Sequence, residues 1–173
     1  MDRVQIVKLR YGTFIAGAVL GFLVGSLTQS VHASDENGDI FCLAQNIYFE
    51  SANQPLAGKI AVAQVVQNRV EHPSYPDTIC DVVYDAKMRV NWKGLSVPAL
   101  NQCQFSWYCD GKSDNPVDSN TWLLSLHIAR NVLQSKYGDI TEASTHYHST
   151  NVHPYWADSL TEVVTIDQHI FYK

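Results

Sequence analysis

The chain has 173 residues, 46% of them hydrophobic, and a formal charge of −5. That length suits one domain with a short appendage, and the apolar content excludes general disorder. An acidic balance, with no tract of Lys or Arg interleaved with aromatics, excludes a nucleic acid as partner.

The N-terminus differs in composition from the rest. Arg3, Lys8 and Arg10 flank an uncharged apolar stretch over residues 11–27, followed by Thr28-Gln29-Ser30 and then Val31-His32-Ala33. Basic flank, apolar run and small residues at a cleavage site are the order of a secretory signal. A retained signal anchor is the alternative, because the apolar run falls a little short of the ~20 residues that span a bilayer. Gly17, Gly21 and Gly25 weaken its insertion, so membrane association through residues 11–27 is expected to be transient, and their spacing also fits a transmembrane dimer motif. Residues 1–33 are thus read as signal peptide or anchor and 34–39 as a polar linker. Residues 40–173 are read as one exported, monomeric domain in the periplasm or cell envelope. Cys42, Cys80, Cys103 and Cys109 all lie in that domain, and an even number in an exported protein points to two disulfides. Three pairings are open. No Cys-x-x-Cys spacing suggests a metal site.

Within the domain, Ile40, Leu43 and Ile47 recur at helical spacing and predict a helix from Ile40 to about Asn53. Pro55 interrupts it, and a second helix rich in Ala and Val runs from Leu56 to about Glu71. His72-Pro73-Ser74-Tyr75-Pro76 is a turn, and Thr78 to Asp85 forms a short third helix. Residues 86–118, with Gly94, Pro98, Gly111 and Pro116, are expected to be irregular. Asp118 or Ser119 then caps a helix whose Trp122, Leu126, Ala129 and Leu133 share a face, ending near Lys136 and Gly138. The remainder, including 145–148, 163–166 and 169–172, reads as short strands. The expected class is α+β, mainly helical with a small antiparallel sheet.

Glu50 stands out on the first helix. It falls at i+7 from Leu43 on the stripe that should face the core, flanked by Tyr48 and Phe49. A carboxyl in apolar surroundings holds its proton toward neutral pH, which is what a general acid needs. A Glu at a helix end that reaches water or caps a neighbour would occupy the same position, and spacing alone does not separate the two.

Longer motifs do. Asn46-Ile47-Tyr48-Phe49-Glu50 with Ser51-Ala52-Asn53-Gln54-Pro55, Gly58 to Ala63 and Val66-Gln67-Asn68-Arg69-Val70 form a first block. Tyr75 to Tyr84, Cys103-Gln104-Phe105-Ser106-Trp107, and His146-Tyr147-His148-Ser149 with Pro154-Tyr155-Trp156 and His169 to Tyr172 follow in order. Together they resemble the cell wall hydrolase family typified by the spore cortex-lytic enzyme SleB. The resemblance implies a lysozyme-like or resuscitation-factor-like single domain acting on peptidoglycan. It also implies cleavage between N-acetylmuramic acid and N-acetylglucosamine, with Glu50 as the catalytic residue. Two positions depart from the family: Ser51-Ala52-Asn53-Gln54 stands where an Ala-Arg-Gly-Glu run is common, and Asp167 where a Gly is common.

Glycoside hydrolysis ordinarily uses two carboxylates, and the first helix offers one. A single acid suits lytic transglycosylation, without metal or cofactor; hydrolysis as an N-acetylmuramidase is the alternative, with Asp110 or Asp85 as the distant second acid. Tyr48, Gln104, Phe105, Ser106, His146 and His148 are the expected substrate-binding residues, and His146 and His148 should share one face of a strand with Tyr147 on the other. A zinc-dependent amidase or endopeptidase using His146, His148, His153 and His169 is a rival, although no His-Glu-x-x-His motif supports it. A non-catalytic wall-binding module is a third reading. Cell-wall remodelling and phage lysis both fit as contexts.

Overall fold

A computed structural model describes residues 36–173. The expected signal or anchor, its apolar run at 11–27 and the first linker residues lie outside the described residues. Among the described residues no helix is long and apolar enough to cross a membrane.

Helix α1 (Glu36–Ser51) is the centre of the domain. It takes in residues 36–39, expected in the linker, and stops two residues before the expected end at Asn53. From Cys42 to Tyr48 every residue is buried, as befits a helix covered on all sides. Around it pack α2 (Leu56–Glu71), α3 (Ile79–Val83) and α4 (Ser119–Leu133). Leu43 and Ile47 meet Val66, Val82, Val83, Ile128 and Val132 in one core. Thr78 caps α3 and Asp118 caps α4, each accepting a hydrogen bond from the backbone N–H three residues on. The last turn of α1 is closed from outside: the buried Lys59 ammonium of α2 donates to the carbonyls of Ser51 and Ala52. A cation on orphan C-terminal carbonyls satisfies them and suits the helix dipole.

Residues 86–118 are more regular than expected. They contain the antiparallel hairpin β1 (Ala86–Val90) and β2 (Ser96–Cys103), then a one-turn 3-10 helix at Ser106–Cys109. Asn91 Oδ1 accepts from the N–H groups of Lys93 and Leu95 in the hairpin turn, and Gly94 takes φ 77° there. Pro98 is tolerated because a two-stranded ribbon has only edge strands. The second sheet, in the order β3-β5-β4, joins β3 (His146–Ser149), β5 (His169–Tyr172) and β4 (Glu162–Ile166), all antiparallel. Asp167 turns between β4 and β5 at φ 52°, the left-handed region that favours glycine. Two disulfides, Cys42–Cys80 and Cys103–Cys109, choose among the three pairings. The first ties α1 to α3 and the second ties the end of β2 to the 3-10 helix. The α+β class holds.

Replacing Lys59 by Met leaves the Ala52 carbonyl without its donor and the Ser51 carbonyl with only the Gln54 N–H. Chemical denaturation should show a loss of about 1–3 kcal/mol; an unchanged midpoint would mean that water replaces the ammonium.

Candidate active site

The end of α1 carries Glu50 out of the core into a cleft. One side of the cleft is a cavity of about 370 Å³ lined by Phe49, Glu50, Ser106, Trp107, Asp110, Lys112 and Ser113. The other, of about 180 Å³, is lined by Glu50, Arg69, Cys103, Gln104, Phe105, Ser106 and Tyr147. Glu50 and Ser106 belong to both and stand where the two halves meet.

Three elements converge on the Glu50 carboxyl. Tyr147 of β3 donates from Oη to Glu50 Oε2 at 3.1 Å. Arg69 of α2 is buried nearby: its Nε donates to the Thr145 carbonyl at 2.8 Å, and its guanidinium lies 5.3 Å from the Tyr75 ring centre and 5.1 Å from that of Phe105. Its Nη1 is buried without a hydrogen-bond partner among the described residues. Burial raises the Glu50 pKa above its ordinary value, while the Tyr147 hydrogen bond and the Arg69 charge pull it back. Tyr147 in turn is pushed well above the usual phenol range, first by burial and then by Glu50, so it remains a donor. Asp110, across the larger cavity, is held below the ordinary value by the backbone N–H and side chain of Lys112. The two carboxyls of the cleft are thus pushed in opposite directions.

The cleft gathers Glu50, Gln104, Phe105 and Ser106 from the expected set. Gln104 and Ser106 present exposed side chains, whereas Phe105 is buried beneath Arg69. Three expected substrate-binding residues serve other contacts. Tyr48 is buried, and its Oη accepts from the N–H groups of Val117 and Asp118 at 3.1 and 3.0 Å, fastening the approach to α4. His146 pairs with Tyr75 Oη at 3.4 Å and with Thr145 Oγ1 at 3.0 Å. His148 is buried, with Nε2 at 2.9 Å from Tyr172 Oη and Nδ1 at 2.9 Å from the Ser149 carbonyl. The strand β3 alternates as expected, but the face turned to Glu50 is that of Tyr147. Arg69 and Tyr147 are site residues that the sequence does not single out, although each lies inside one of the family motifs; a basic residue within an apolar helix is the signal that could have found Arg69. Among the described residues no three His, Cys, Asp or Glu side chains converge as ligands. Gln54 donates from Nε2 to Gln168 Oε1 at 3.3 Å.

Comparison with known proteins agrees with this architecture. The sequence profile described as Cell Wall Hydrolase matches residues 53–172. The chain belongs to the cell wall hydrolase family. It is similar to the spore cortex-lytic enzyme of Halalkalibacterium halodurans, 36% identical over 56 residues, covering 32% of this chain and 17% of that protein. The spore cortex-lytic enzyme of Bacillus subtilis is 37% identical over 49 residues, 28% of this chain and 16% of that protein. The matched stretch therefore spans less than a fifth of either relative. Among solved structures, the catalytic domain of the Bacillus cereus SleB protein aligns with a TM-score of 0.57 at 25% identity, covering 79% of this chain and 91% of that one. The catalytic domain of the germination-specific lytic transglycosylase SleB from Bacillus anthracis shares the fold, with a TM-score of 0.58 at 24% identity over 83% and 98% of the two chains. The profile match begins at Asn53, so the reading of Glu50 rests on its own geometry.

Replacing Tyr147 by Phe removes a hydrogen bond that favours the Glu50 carboxylate. The Glu50 pKa, followed by carboxyl carbon NMR, should rise relative to the parent; a fall would show that Tyr147 does not donate to it.

Proposed function

We propose that this chain cleaves the glycan strand of peptidoglycan between N-acetylmuramic acid and N-acetylglucosamine, outside the cytoplasm, as a lytic transglycosylase. The observation that carries the reading is the Glu50 carboxyl at the joint of the two-sided cleft, with its pKa raised by burial. Family membership and the fold shared with the catalytic domain of the Bacillus cereus SleB protein support the substrate class. A sugar on each side of Glu50 puts the glycosidic oxygen beside it.

Glu50 gives its proton to that oxygen as the bond from the muramic acid C1 breaks, and the N-acetylglucosamine leaves as a neutral alcohol. The Glu50 carboxylate so formed is stabilised by the Tyr147 hydroxyl and the Arg69 charge. It then takes the proton from the muramic acid C6 hydroxyl, whose oxygen closes on C1 to form a 1,6-anhydro ring. The proton returns to Glu50 and no water is consumed. Gln104 and Ser106 are placed to hydrogen-bond the sugar, and Trp107, stacked on Phe49 at 4.9 Å, backs the larger cavity.

Hydrolysis is the second reading, and one observation favours it: Asp110 lines the same cavity as Glu50 and is held ionised. One carboxyl with a raised pKa and one with a lowered pKa facing one cleft suit an acid and a base for water.

Mass spectrometry of soluble products from purified peptidoglycan, with chelator present, separates the two. Anhydromuropeptides are expected from the parent, with Glu50→Gln slower by at least about a hundredfold. Reducing muramic ends that vanish in Asp110→Asn would establish hydrolysis instead. Full activity in Glu50→Gln would end the assignment of Glu50, and activity that chelator abolishes and zinc restores would favour a metal enzyme.

A further inference from the structure

The charge of the domain is unevenly spread. The described residues carry fifteen acidic and nine basic side chains, yet residues 86–109 contain no Asp or Glu and three bases, Lys87, Arg89 and Lys93. Lys59 and Arg69 are buried. Of the remaining seven bases, four stand on the β1–β2 hairpin or the loop beside it, Lys112 being the fourth. Arg89 has no acidic partner among the described residues. It lies over a pocket of about 200 Å³ that Lys112 and the apolar surfaces of Pro98, Leu100 and Tyr108 complete. Lys112 also lines the larger cavity beside Glu50, so the basic pocket continues the cleft. Asp110 lies 3.3 Å from Lys112 Nζ, Glu50 shares the larger cavity with Lys112 and Asp114 lies close to Asp110; they neutralise Lys112 in part, and none forms an ion pair with Arg89.

A cationic extension of a cleft in an otherwise acidic protein attracts an anion that arrives together with the substrate. The sugars of the strand are uncharged at their hydroxyl and N-acetyl groups. The charge of peptidoglycan lies on the carboxylates of the peptide carried by each muramic acid. We propose that Arg89 and Lys112 form a subsite for stem-peptide carboxylates, so that the enzyme selects strands bearing acidic stems and draws them toward Glu50. Arg89 supplies the planar fork suited to a carboxylate, and the apolar floor of the pocket accommodates the aliphatic part of the stem. The position of this subsite relative to the scissile bond rests on the glycan-cleaving reading, whereas the recognition of an acidic wall peptide does not.

The test is co-sedimentation of the full chain with insoluble peptidoglycan freed of other wall polymers, in the Glu50→Gln background so that the wall stays intact. Two walls are compared: native, and one whose free carboxylates have been converted to methylamides with carbodiimide. Arg89→Ala with Lys112→Ala should weaken binding to native wall about tenfold, and Arg89→Glu should do so more strongly. On methylamide wall the parent should weaken similarly and the difference between parent and variants should vanish. Equal loss on both walls, or no loss on either, would overturn the proposal. So would variants that bind native wall normally but no longer bind phosphatidylglycerol vesicles, which would make the hairpin a membrane contact. Binding is read without cleavage, so failure of the catalytic reading would appear as absent products from the parent while this comparison still stands.

Discussion

The Glu50 carboxyl sits where the last turn of α1 leaves the core, and its protonation is decided by a contest between burial and charge. Burial alone would hold the proton firmly; the Tyr147 hydroxyl and the Arg69 guanidinium make the anion tolerable. In the mechanism proposed above both are needed, because an acid that cannot form its conjugate base transfers nothing. Arg69 carries a cost of its own, since a buried guanidinium without a bonded carboxylate loses hydration. The structure offsets it with the Thr145 carbonyl and two aromatic faces, Tyr75 and Phe105. One Nη remains without a partner among the described residues.

The rest of the fold holds these three groups in place from separate directions. Lys59 closes the end of α1 and ties it to α2, so Glu50 and Arg69 belong to one rigid corner. Tyr147 comes from a strand whose register is set by pairing with β5, Tyr147 opposite Phe171. A slip of one residue there would turn a histidine toward Glu50. The Cys103–Cys109 disulfide closes the segment that carries Gln104, Phe105 and Ser106, which gives a short exposed turn a fixed shape opposite the carboxyl.

Much of this architecture is legible in the amino-acid sequence. The limits of α2, the start of α3 at Thr78 and the Asp118 cap of α4 follow from spacing and from Pro, Asp and Thr at element ends. The β1–β2 hairpin does not, because Gly94 and Pro98 read as breakers and the alternation of Ala86, Met88 and Val90 with Lys87 and Arg89 is short. That alternation marks no buried face, since most of β1 is exposed. The contacts of Tyr48 and the two histidines are hidden in the sequence for a different reason. Adjacency to Glu50 in sequence turns Tyr48 to another side of the helix, and only the pairing of β3 with β5 and its tertiary packing decide which face of that strand meets the carboxyl. Arg69 needs the tertiary contacts to be decided, because a cation in an apolar helix is a signal that reads equally well as a surface charge.

The central claim, that Glu50 acts as a proton donor held protonated by burial, is tested most directly by the pH dependence of kcat/KM on soluble glycan strands. Catalysis that requires the protonated form should fall as pH rises through the Glu50 pKa measured in the same protein, with the midpoint of that fall above the ordinary Glu value. A rate that instead climbs with pH across that interval would show that a base starts the reaction, and would contradict the account.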